Sequence, residues 1–79
     1  MNLQEAREIN GNVARWYLDT QVFGREAMVP SYPKEQMLEA FGIVQKANGF
    51  EVVQDDGKRT IHTVCDPRIA DMVVKSRGW

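Results

Sequence analysis

The residues best equipped for chemistry are His62 and Cys65, the single histidine and single cysteine of a 79-residue chain. With two residues between them, they have the spacing of a soft-metal ligand pair, or of a base beside a thiol nucleophile. Neither chemistry closes. A structural zinc site takes four ligands, and the missing ones would have to come from carboxylates or a second chain. Residues 50–64 read as a β-hairpin, and alternation along its second strand sends His62 and Cys65 to opposite faces. A nucleophilic thiol needs a base within reach and a third group to orient that base, which such a strand denies. His62 is expected to face Glu51 across the ladder instead, as a solvated pair contributing less than about 1 kcal/mol. The eleven acidic residues are spaced as solvated faces, and none has the apolar context that tunes a general acid. Gly11, Gly24 and Gly42 stand apart, so there is no Gly-rich phosphate loop. No catalytic, cofactor-binding or metal-binding residue is assigned, and the chain reads as not an enzyme.

The elements around these residues follow from periodicity and punctuation. Leu3, Ala6, Ile9, Val13, Trp16 and Tyr17 recur at spacings of three and four, which predicts a helix over 3–20. Asn2 is its N-cap, with Glu5 placed for a capping box. Gly11 interrupts this helix, and close approach of another backbone is its expected reason. Residues 21–32 are broken by Gly24 and Pro30, yet too apolar for a flexible linker, and read as an irregular lid across the core. A second helix is expected over 33–48, with Pro33 in its first turn. Its face is Met37, Leu38, Phe41, Val44 and Ala47, and Asn48-Gly49 ends it. Asp56-Gly57 signals a two-residue hairpin turn, and counting outward pairs Val52 with Ile61 and Phe50 with Thr63. Asp66-Pro67 opens a last helix over 67–77, with Ile69, Met72 and Val73 inward and Asp71 paired to Lys75. The expected fold class is α+β: a single small domain over 1–79 in the order α-α-β-β-α, a two-stranded antiparallel hairpin packed on helices.

Ten basic and eleven acidic residues give a net charge of −1. Nucleic-acid binding is usually announced by a basic excess or stripe, which is missing. A winged helix is the alternative that the order of elements suggests, as a nucleic-acid-binding or transcriptional regulatory protein. Its reading helix would offer the mixed face of Lys34, Glu35, Gln36, Glu39, Gln45 and Lys46. The stretch before it exceeds the three or four residues of a helix-turn-helix turn. The apolar runs are too short to span a membrane. The charged opening stretch and the unpaired cysteine lead to an expectation of a cytoplasmic location.

What remains is an excess of large side chains for so small a core. Trp16 and Tyr17 are adjacent and cannot both point along one line inward. Phe23, Arg25, Met28 and Tyr32 sit in irregular chain, and Trp79 is the last residue given. Aromatic residues, Met and Arg are enriched in interface cores and hot spots. These seven are the expected partner-binding residues, and the partner is another protein or protein complex, self-association as a homodimer included. In size and style the chain resembles accessory proteins of bacteriophages and mobile elements. That resemblance implies an inhibitor of a host complex, of the anti-defence or anti-CRISPR type.

Overall fold

The computed structural model describes residues 1–48, 53–54, 60–61 and 65–79. Helix α1 runs Leu3–Tyr17, and the side chain of its N-cap, Asn2, accepts from the Glu5 amide at 2.8 Å. The chain then continues without a break through a π-helical turn, Leu18–Val22. In that turn the Phe23 amide donates five residues back, to the Leu18 carbonyl at 2.9 Å. The Thr20 hydroxyl donates to the Trp16 carbonyl at 2.7 Å, the kind of side-chain competition that loosens an α ladder. Gly24 stops the helix at φ +66°, a value that costs a side chain about 1 kcal/mol or more. The irregular stretch therefore starts after Phe23, not at residue 21.

Helix α2 spans Lys34–Asn48. Pro33 lies one residue before it, and its carbonyl accepts the first helical bond from the Met37 amide at 3.1 Å. Helix α3 spans Pro67–Ser76 and is capped at both ends. Asp66 accepts from the Arg68 amide at 2.9 Å and from the Arg68 guanidinium at 2.7 Å. The guanidinium bond first, and the amide bond second, hold the Asp66 carboxyl below its ordinary pKa. At the other end Gly78, φ +78°, lets its own amide reach the Lys75 carbonyl and the Trp79 amide reach Val74. That pair of bonds is the Schellman motif.

The core is built by these three helices. Ala6, Ile9, Val13, Ala14 and Trp16 of α1 meet Met37, Ala40, Phe41 and Val44 of α2, with Ile69, Ala70 and Val73 of α3 and Cys65 completing it. The most extensive packing is α1 on α2. Lys34 of α2 pairs with Asp71 of α3, so Asp71 bridges two helices where an in-helix pair with Lys75 was expected.

The expected α+β class is thereby corrected: this is a small helical protein. Among the described residues, strand structure is limited to β1, Val53–Gln54, and β2, Thr60–Ile61. Among the described residues only two residues a side are paired, and the core cluster is drawn from the three helices and Cys65. The strands' antiparallel register also differs from the one counted from Asp56-Gly57, since Val53, not Val52, lies opposite Ile61. Pairing Gln54 with Thr60 leaves an odd number of residues between them, which a two-residue turn cannot give. The Glu51–His62 and Phe50–Thr63 pairings and the turn itself lie outside the described residues. Gly11 is a second correction: a Cβ built there meets nothing within 4 Å, so no backbone among the described residues crosses it.

Candidate interaction surface

After the sharp turn at Gly24, residues 25–33 cross the open side of α1 as a strap. Its two ends are fixed by the main chain, the Arg25 amide on the Asp19 carbonyl at 2.6 Å and the Pro33 carbonyl on Met37. Between those points no backbone-to-backbone hydrogen bond forms among the described residues. Extended chain alternates its side chains. Ala27 and Val29 accordingly pack on the core, while Met28 between them is 93% exposed.

Tyr32 is the strap's one polar attachment to both neighbours. Its hydroxyl accepts from the Asn12 side chain of α1 at 2.8 Å. Its carbonyl accepts from the Arg77 guanidinium, just past α3, at 3.1 Å. The same guanidinium carbon lies 3.5 Å from the centroid of the Trp79 ring, so Arg77 braces both the strap and the end of the chain. Arg25 is used similarly at the other end. It lies 4.9 Å from the Phe23 ring centroid and 3.7 Å from the Asp19 carboxylate.

Two open grooves flank the strap. The first, about 450 Å³, is bounded by Asn12, Arg15 and Asp19 on one side and Pro30 and Tyr32 on the other. The second, about 630 Å³, runs past Thr20, Gln21 and Arg25 to Ser76 at the end of α3. Trp16 and Met28 line both, with Trp16 as floor and Met28 as crest. Trp16 is 4% exposed and belongs to the core, so it is not displayed in this conformation. Tyr17 and Tyr32 are half-buried against the core. Phe23 is 43% and Trp79 62% exposed, and Arg25 is exposed beside Phe23.

The seven residues named from sequence thus divide by depth. Phe23, Arg25 and Met28 lie on the strap side with Tyr32, Trp79 joins them through Arg77, and Trp16 lies beneath the strap, while Tyr17 packs on the core and lines neither groove. Asn12 and Arg77, which seat the strap, were not singled out from sequence. Arg77 carried a signal only as a cation at a helix C-terminus. Nothing local in the sequence marks the Asn12–Tyr32 bond, which spans twenty positions.

The same reading missed Asn10. It is buried on α1 and donates to the Cys65 sulfur at 3.4 Å. Its position in the stripe of Ala6 and Val13, at helical spacings of four and three, is the signal that could have found it. Cys65 is buried at 4% exposure, out of a substrate's reach; His62 lies outside the described residues. Among the described residues no group of three or more His, Cys, Asp or Glu side chains is gathered as a metal site would need. No helix among them is long and apolar enough to cross a membrane. Compared with known proteins, the chain matches no family model, no curated protein and no solved structure.

Proposed function

We propose that this chain is a small non-enzymatic protein-interaction module, acting in the cytoplasm as an inhibitor or adaptor by surface complementarity. The observation that carries the reading is the strap: Met28, 93% exposed, rides between two grooves with Phe23 and Trp79 displayed nearby. Large apolar side chains held out in water on a braced backbone are what a partner's surface buries. Phe23 and Trp79 each have an arginine over the ring, and stacked Arg–aromatic pairs are well suited to an interface core. An inhibitor of a host complex, as encoded by phages and mobile elements, is the kind of protein that works this way.

The test is capture of a stable partner from host lysate together with mass-calibrated chromatography of the purified chain. Phe23→Ala, Met28→Ala and Trp79→Ala are expected to weaken capture, or dissociate a homodimer, while leaving the unfolding midpoint nearly unchanged. A monomer that captures nothing removes the reading. Binding to duplex or single-stranded nucleic acid that fades steeply with salt would instead favour a nucleic-acid-binding role.

A further inference from the structure

We infer that residues 26–32 form a strap that opens over Trp16 as a unit, with Asn12 and Arg77 as the catch that closes on Tyr32. Four observations lead there. The strap's ends are tied by main-chain hydrogen bonds and its middle by none, so its interior can bow outward without breaking any ladder. Among the described residues its polar closure is confined to Tyr32, gripped at hydroxyl and carbonyl by two side chains, one on α1 and one just past α3. Beneath it, grooves on both sides share Trp16 as a lining residue, so open space flanks the strap where it covers the indole. Among the described residues its apolar seat on the core is Ala27, Val29 and the Tyr32 ring. Segments with few buried contacts and an unpaired backbone belong to the low-stability end of a fold and open below the global transition. Trp16 is then a conditional surface: closed at 4% exposure, and laid bare along one side of α1 when Tyr32 is released. This device stands apart from the interaction reading, since it concerns the strap's own equilibrium.

The experiment reads Trp16 alone, in a Trp79→Phe background that keeps an aromatic ring under Arg77. Tyr32→Phe removes the Asn12 grip, Arg77→Ala removes the carbonyl grip, and the double variant removes both. Acrylamide quenching of Trp16 is expected to rise about twofold or more in the double variant under conditions where helical circular dichroism is unchanged. Hydrogen exchange of the Trp16 indole N–H is expected to depend only weakly on urea, the mark of a local opening that exposes little surface. Unchanged quenching in the double variant overturns the inference. So does indole exchange with the urea slope of global unfolding. Should the double variant fail to fold, exchange in the Trp79→Phe parent decides alone by the same slope.

Discussion

Gly11 shows how a single position separates backbone cost from packing. It lies within α1, and a methyl group added there meets nothing within 4 Å. Gly11→Ala is therefore expected to stabilise the fold by about 0.5–1 kcal/mol, read as a higher urea midpoint at an unchanged slope. A clash, and hence a loss, would mean that some backbone does approach. Cys65 makes the opposite case. Val is similar in size and apolarity, yet Cys65→Val takes one acceptor from the buried Asn10 amide. That substitution is expected to cost about 1–2 kcal/mol in chemical denaturation. Most inward-facing residues were readable from spacing: Ala6, Ile9, Val13, Met37, Phe41, Val44, Ile69 and Val73 all lie in the core. Ala47 and Leu3 departed from their stripes: each sits near a helix end, and both are exposed. The depth of Trp16 was not readable, since adjacency to Tyr17 says that one of the two turns aside but not which.

At the scale of elements, helix ends were the most readable feature because caps are local chemistry. Asn2, Asp66 and Gly78 all act where their residue types belong. The Asp66 carboxyl is held below its ordinary value by Arg68, which fixes a sign for pH dependence. The folded state binds that proton less readily than the unfolded chain. Its stabilising contribution is thus complete above the unfolded pKa, near 4, and is lost as pH falls through the lower folded value. Asp66→Asn, which caps without a charge, should flatten the acid limb of the stability–pH curve below about pH 4; an unchanged limb would place the acid sensitivity elsewhere. Gly78→Ala should destabilise α3 by about 1 kcal/mol through its positive φ, seen as a lowered midpoint. The hairpin failed at this scale for a reason sequence does not carry. Asp-Gly indicates where a turn can form, but strand length and register are set by what the strands pack against. Here three helices already close a core around one another.

At the scale of the whole molecule, a core shared by three helices and 79 residues has little depth, and the chain keeps Met28, Phe23 and Trp79 outside it. If those side chains serve a partner and not the fold, Met28→Ala should shift the unfolding midpoint by less than about 0.5 kcal/mol equivalent while reducing partner capture several-fold. Equal loss of both would return Met28 to a structural role. The strap's position could not be read from composition, because its seat depends on Asn12 and Arg77, brought from opposite ends of the chain. The π-helical turn at Leu18–Val22 has a consequence for how this arrangement can change. A π turn is an α turn with one residue inserted, and the five-residue bond absorbs that residue without turning the chain that follows. Deleting Thr20 would leave α-helical turns and nearly the same heading after them. Gly24 would still start the strap beside Trp16, with one residue less of helix before it. The π turn is thus the place where this chain can lose a codon and keep its tryptophan covered.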